Sequence, residues 1–198
     1  MTHDTGFAPN PFYGFLTLAN CKPRIRETKK IGDWIAGFTS KELNGDPVGE
    51  ERLVYLMKVT NIISYEKYWN DPIYNEKKPI LSSNETKKRK FGDNIYRPLK
   101  INSELPQDFE QIQNVSHDNT DKIHDLGGKK ILISNCFYYF GYKSVHIPLE
   151  IRPAIPKYSH PQGFRTHDVE RCFKFISFIE NNFNVCIVND PSGWPRRK

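Results

Sequence analysis

The chain has 198 residues, of which 37% are hydrophobic and 13% aromatic, and it carries a formal net charge of +6 at pH 7. The aromatic content excludes an intrinsically disordered chain, and the lack of an apolar run of membrane-spanning length excludes a membrane protein. We therefore expect a soluble cytoplasmic protein without a signal peptide.

The first third of the chain is predicted to form mostly strands, at residues 15–19, 31–39 and 52–64. Apolar side chains on both sides of 52–64 are typical of a central strand that is covered on both faces. Residues 41–49 are rich in Gly, Asn, Asp and Pro, which predicts a loop. A short helix is expected to begin at Ser64 and to end before Pro72, because proline disfavours a helical conformation in the residue before it.

The middle of the chain is predicted to be irregular. Residues 79–95 form a loop that carries the basic run Lys87–Lys90, and residues 101–128 form a polar, mostly acidic loop excursion. A long loop in a compact domain is usually functional or disordered. The charge contrast predicts a basic surface that faces phosphates, and the alternative is a solvated loop without a ligand.

Regular structure is expected to return in the last third. A buried strand is predicted at 130–134, the main helix at 166–182 with Thr166 as its N-cap, and a final strand at 185–188. Strands precede this helix without regular alternation of strand and helix. The sequence therefore predicts a single α+β domain over residues 1–198, with a curved mixed sheet or a small β-barrel and a few packed helices.

The chain contains no phosphate-binding glycine loop, nucleophile elbow or zinc-peptidase motif, so no cofactor is predicted. The cysteines form no Cys-x-x-Cys pair and are expected to be buried free thiols: Cys21, Cys136, Cys172 and Cys186. His117 and His124 lie in the acidic stretch that also contains Asp125. Their spacing matches no ligand pattern, so we interpret these polar residues as surface residues and predict no metal.

Aromatic and basic residues alternate in three places, at 7–26, 65–78 and 137–143. Nucleic-acid bases stack on aromatic rings, while Lys and Arg pair with phosphates. The alternative is that these rings belong to the hydrophobic core, which we favour for Phe12, Phe137 and Phe140. For Tyr13, Tyr68, Trp69 and Tyr138 both interpretations stay open.

Several strings extend over nearly the whole chain: DTGFAPNPF at 4–12, TLANCKPRIR at 17–26, GDWI at 32–35, GDNIY at 92–96 and DPSGW at 190–194. Together they are similar to the family called nucleotide modification associated domain 2. The resemblance implies a role beside the DNA base hypermodification systems of phages and bacteria. Two features depart from the family pattern: only three residues precede Asp4, where a strand is usual, and Arg97 stands where a His is frequent.

A second resemblance is to PUA-like domains of the EVE, YTH and ASCH type. It rests on the Gly32–Ile35 turn followed by the strand LVYLMKV. Domains of this type are small β-barrels that can hold a modified base in an aromatic cage, and the resemblance implies the same here.

The sequence thus predicts a protein associated with nucleic-acid base hypermodification that binds a modified nucleotide or modified DNA. The predicted binding residues are Asp4, Thr5, Phe7, Asn10, Lys22, Arg24, Asp33, Trp34, Tyr68, Trp69, Lys88, Arg89, Asp93, Tyr96 and Tyr138. One alternative is an enzyme that acts on a DNA base or nucleotide, with Asp4, Asp33 or Asp93 as general base. The other is a phage-defence sensor of nucleotides. DNA or nucleotides are the expected partners, no membrane is expected, and homo-oligomerisation stays open.

Overall fold

A computed structural model describes residues 1–154 and 168–195. The chain divides into two compact units. The first unit comprises residues 1–4, 34–57 and 136–198, and the second comprises residues 5–33 and 58–135. The predicted N-cap Thr166 lies outside the described residues.

The described strands are β1 (Leu16–Leu18), β2 (Trp34–Phe38), β3 (Leu53–Lys58), β4 (Asn61–Ile63), β5 (Tyr96–Pro98), β6 (Phe109–Gln111), β7 (Ile131–Ser134) and β8 (Cys136–Tyr139). The described α-helices are α1 (Pro23–Thr28), α2 (Lys41–Asn44), α3 (Tyr65–Asn70), α4 (Lys87–Lys90), α5 (Lys122–Leu126) and α6 (Val169–Asn182). Short 3-10 helices lie at Pro72–Lys77, Pro106–Asp108 and Gly141–Lys143.

The second unit contains two antiparallel sheets. One has the strand order β1-β7-β4, with Leu16 opposite Ser134 and Asn61 opposite Ile133. Because β7 is the central strand, all four of its residues are buried. The other sheet is the pair β5-β6. The apolar core of this unit consists of Phe7, Ala19, Ile63, Tyr65, Tyr68, Tyr74, Ile95, Tyr96, Phe109, Leu126, Ile131 and Ile133.

The first unit contains the sheet β2-β3-β8 and helix α6. The helix begins after Asp168, whose carboxylate accepts a hydrogen bond from the main-chain N–H of Arg171 at 2.9 Å, as is typical of an N-cap. Phe175 and Ile179 are the buried residues of this helix. The strand predicted at 185–188 contributes only a single bridge, from Val188 to Tyr139.

The predicted α+β class is confirmed by these elements. The barrel alternative is not: among the described residues no sheet has more than three strands, so none closes on itself. The strand predicted at 52–64 is interrupted at Val59 and Thr60, and its two parts belong to different sheets. The predicted loops also contain structure, since 79–95 includes α4 and 101–128 includes β6 and α5. That the chain is a single domain stays a prediction.

No helix in the described part of the chain combines the length and the apolar character that crossing a lipid bilayer requires.

Candidate active site

Three side chains of the second unit form a hydrogen-bonded chain of thiol, imidazole and carboxylate. The Sγ atom of Cys21 lies 3.3 Å from Nε2 of His117. On the other side of the ring, Nδ1 of His117 lies 2.7 Å from Oδ2 of Asp125. A nucleophile, a base and a residue that orients the base have this arrangement in enzymes that form covalent intermediates.

Cys21 sits in a turn between β1 and α1. Its φ is 56°, and the φ of the following residue, Lys22, is 44°. Both φ values lie in the left-handed region. Residues other than glycine rarely adopt this backbone conformation, and those that do are enriched at functional sites. Pro23 begins α1, and proline disfavours a right-handed helical conformation in the residue before it. The turn leaves the Cys21 side chain half-buried.

Asp125 on α5 is fully buried, and its carboxylate accepts three hydrogen bonds. The donors are the main-chain N–H of Cys21 at 2.6 Å, the imidazole Nδ1–H of His117 at 2.7 Å and the Tyr96 hydroxyl at 2.8 Å. One carboxylate thus fixes both the main chain of the thiol residue and the ring of the base. The hydrogen bond from Nδ1–H of His117 to Asp125 orients Nε2 of the same ring towards the thiol.

The surroundings of His117 favour the protonated form of its ring. Burial alone would lower its pKa, but the hydrogen bonds to Asp125 and Cys21 outweigh burial and raise the pKa to about 10. The ring also packs edge-on against Phe7, with 4.8 Å between ring centroids. An imidazolium beside a thiol stabilises the thiolate, which is the nucleophilic form of cysteine.

The same three residues are also of the types that bind metal ions. One ligand atom of each lies within 4.8 Å of the other two. However, the two nitrogens of His117 face different partners, Nε2 facing Cys21 and Nδ1 facing Asp125. Because one ion bonds to one imidazole nitrogen, this orientation favours proton transfer along the chain over a shared metal.

Three buried side-chain polar atoms form no hydrogen bond with any described residue. They are Asn20 Oδ1, Ser116 Oγ and Gln111 Oε1. Asn20 and Ser116 are the chain neighbours of Cys21 and His117, and the Gln111 amide donates to the carbonyl of His117 at 3.0 Å. Such atoms are rare in folded proteins, and two of the three, in Ser116 and Gln111, belong to residues beside His117.

A second buried polar cluster surrounds Lys77. Its ammonium donates to Oδ1 of Asn10 at 2.8 Å and to the Thr17 hydroxyl at 3.1 Å. The Tyr68 hydroxyl donates to Asp93 at 2.7 Å. Burial lowers the pKa of Lys77 to about 7, although the negative charge of Asp93 acts to raise it. Burial also raises the pKa of Asp93. Since these groups satisfy one another inside the unit, the cluster stabilises the fold.

Seven of the fifteen predicted binding residues are buried. Asp4, Phe7, Asn10, Tyr68, Asp93, Tyr96 and Tyr138 are at most 3% exposed. Within the second unit, the structure brings Asn10, Tyr68 and Asp93 together around Lys77 and places Tyr96 against Asp125. Asp4 and Tyr138 belong to the first unit. Ligand contacts of these residues stay predictions.

The remaining predicted residues are partly or fully exposed. Lys22, Arg24 and Lys88 are exposed, while Thr5, Asp33, Trp34, Trp69 and Arg89 are half-buried. Nζ of Lys78 lies 4.4 Å from the ring centroid of Trp69. The candidate bases Asp4, Asp33 and Asp93 form no hydrogen bond with Cys21 or His117 in the described residues.

The surface interpretation of the acidic stretch was wrong for two residues. Asp125 is fully buried, and the His117 side chain is only 13% exposed. The expectation that the cysteines form no disulfide is confirmed, but they are not fully buried, since Cys186 is exposed and the other three are half-buried. The sequence signal for the site was the NCKP string at 20–23, whereas nothing in the spacing of residues 117 and 125 marks them as its partners.

Comparison with known proteins links the chain to nucleotide chemistry. The family model described as nucleotide modification associated domain 2 matches residues 1–198, which is the whole chain. No curated protein and no solved structure matches the chain significantly. The family match confirms the resemblance seen in the sequence and supports a role associated with nucleotide modification.

Proposed function

Because the chain belongs to the nucleotide modification associated domain 2 family, we propose that it is an enzyme that acts on a nucleotide or a nucleobase by covalent catalysis. Cys21 is the nucleophile, His117 exchanges the proton, and Asp125 orients His117. The observation that carries the proposal is the continuous chain of contacts, 3.3 Å from thiol to imidazole and 2.7 Å from imidazole to carboxylate.

The contact between Sγ of Cys21 and Nε2 of His117 places the thiol and the imidazole close enough to share a proton. When that proton lies on Nε2, the Cys21 sulfur carries the lone pair that attacks. In the reaction this lone pair forms a C–S bond to an electrophilic carbon of the substrate. The electron pair displaced from that carbon moves to a conjugated electronegative atom, and His117 returns its proton to the substrate. When the C–S bond breaks, its electron pair returns to the sulfur and the substrate gives a proton back to His117, so that the pair is regenerated.

Thiol reactivity tests the proposed roles without knowledge of the substrate. Each cysteine of the full chain is alkylated with iodoacetamide at pH 7, and the rates are followed by peptide mass spectrometry. We expect Cys21 to react faster than Cys136, which is equally half-buried, and faster than the exposed Cys186. In a His117→Ala variant the rate at Cys21 is expected to fall about tenfold or more, because the ring that shares the thiol proton and stabilises the thiolate is gone.

The other cysteines serve as controls in the same sample. Their rates should be unchanged in His117→Ala. Because these three cysteines belong to the first unit, an unchanged far-UV circular dichroism spectrum is needed to show that the second unit of the variant is folded. If Cys21 reacts no faster than Cys136 and is unaffected by the loss of His117, the proposed catalytic role is refuted.

A second candidate function is binding of a modified nucleotide or modified DNA. It is favoured by the half-buried Trp69, whose ring lies beside the Lys78 ammonium, and by the exposed Lys88 on the basic helix α4. An aromatic face next to a cation can stack a base and pair with its phosphate. No hydrogen bond to Cys21 is needed for this role.

Fluorescence anisotropy with plain and hypermodified DNA at two salt concentrations tests the second candidate. We expect tighter binding to the modified DNA and weaker binding at high salt. The variant Trp69→Ala should weaken binding while the melting temperature stays unchanged. Equal binding to both DNAs, or a large fall in melting temperature, argues against Trp69 as a recognition surface.

A further inference from the structure

We infer that the substrate of Cys21 carries a phosphate group and that Lys22 and Arg24 bind it. This inference rests on the proposed function, because it names the substrate class for the Cys21 site. The ligand chemistry is a phosphate ester, which occurs in a free nucleotide and in a nucleic-acid backbone.

The first argument is position. Lys22 follows the nucleophile directly, and Arg24 lies in the first turn of α1. A cation that neighbours the nucleophile in the chain can hold the charged end of a substrate while the base or sugar reaches the thiol. Arg and Lys are the side chains that proteins use most to bind phosphate.

The second argument is that these two cations are available. Both are exposed, and neither forms an ion pair with a carboxylate within 4 Å among the described residues. Elsewhere in the chain Arg52, Arg97 and Lys100 are each paired with an acidic side chain. The nearest acid on α1 is Glu27, three residues beyond Arg24.

The third argument is the contrast with Arg26 on the same helix. Arg26 is fully buried and donates to the carbonyl oxygens of Cys21, Asp125 and Lys130. Its donors are therefore used within the protein. Of the three cations in 22–26, only Lys22 and Arg24 can reach a ligand.

Protection of Cys21 from alkylation measures binding at this site. The full chain is treated with iodoacetamide in the presence of deoxynucleoside monophosphates, the matching nucleosides, inorganic phosphate or a short single-stranded DNA. We expect the monophosphates to slow alkylation of Cys21, and the nucleosides to require at least about tenfold higher concentration. Protection should weaken as salt is added. Protection by DNA in place of the monophosphates would assign the phosphate to a nucleic-acid backbone.

The double variant Lys22→Ala/Arg24→Ala is expected to raise the half-protecting concentration at least about tenfold. Lys30→Ala/Lys67→Ala is the matched control, since it removes the same charge from two exposed positions of the same unit. If the control variant weakens protection to the same extent, or if no phosphate compound protects Cys21, the inference is overturned. If Cys21 is alkylated fast and no phosphate compound slows the reaction, only this inference is refuted. If Cys21 is alkylated slowly in the absence of any ligand, the proposed function is refuted.

Discussion

Arg26 holds the main chain of Cys21: its Nε–H donates to the Cys21 carbonyl oxygen at 2.8 Å from inside the protein. The same guanidinium donates to the Tyr65 hydroxyl and to the carbonyl of Asp125. A single buried side chain therefore joins the segment that carries the nucleophile to the helix that carries the orienting acid. It positions both without contacting the substrate.

Replacing Arg26 by Lys should loosen this arrangement. A lysine ammonium cannot reproduce the planar fork that reaches several acceptors at once, so buried carbonyl oxygens lose their donors. We expect the free energy of unfolding to fall by about 2–3 kcal/mol. Urea denaturation measures this loss of stability. In a separate assay on the folded variant, iodoacetamide should alkylate Cys21 more slowly than in the wild type. Unchanged alkylation in a folded Arg26→Lys protein would show that Arg26 has a structural role only.

Gly128 tests the same contact from the opposite side. A Cβ at this position would lie 2.5 Å from the central carbon of the Arg26 guanidinium, which is held by its hydrogen bonds. Gly128→Ala should therefore cost about 1–3 kcal/mol of stability. Gly127→Ala is the control, because its nearest contact is 3.2 Å. Equal melting temperatures for both variants would contradict the clash.

His117 predicts a pH dependence of stability. Its pKa is about 10 in the folded chain against an ordinary value of 6.5, so the folded state binds the proton more tightly. The resulting stabilisation is complete below about pH 6.5 and is lost as the pH rises towards about 10. The difference in unfolding free energy between wild type and His117→Ala should shrink over this range. A difference that is constant from pH 6 to pH 10 would exclude a charged His117.

Lys77 should give the opposite dependence of stability on pH. Burial lowers its pKa to about 7 against an ordinary value of 10.5, so between these values the unfolded chain binds a proton that the folded chain does not. Unfolding free energy therefore rises with pH in this window. Lys77→Met, which has no donor for Asn10 or Phe15, should lower stability by about 3 kcal/mol. Its deficit relative to wild type should grow from pH 7 to pH 10, as measured by urea denaturation.

Asp4 is expected to stabilise the first unit. Its carboxylate accepts hydrogen bonds from the Tyr139 hydroxyl and, at 2.8 Å, from the main-chain N–H of Ser192. Asp4→Ala leaves both donors unpaired and should cost about 2–3 kcal/mol. Tyr139→Phe removes one donor, and the double variant completes a cycle that isolates the pair. Purely additive effects in this cycle would contradict a direct interaction.

The sequence by itself determined the α+β class, the α3 cap at Ser64 and most of the buried strands. These features depend on residues that are close in the chain, such as apolar periodicity, the capping hydroxyl and Pro72. The family strings could also be recognised there, because they are local patterns. They identified residues 20–23 as part of a motif without revealing what Cys21 contacts.

Only the tertiary structure decided the candidate site. Cys21 and His117 are separated by 96 positions and Cys21 and Asp125 by 104, and no periodicity connects residues so far apart. The structure also decided between surface and core for Tyr68 and Tyr138, which are both buried. Whether a polar side chain is buried depends on how distant segments pair. A buried polar group is stable only when it finds hydrogen-bond partners, and those partners lie far away in the sequence.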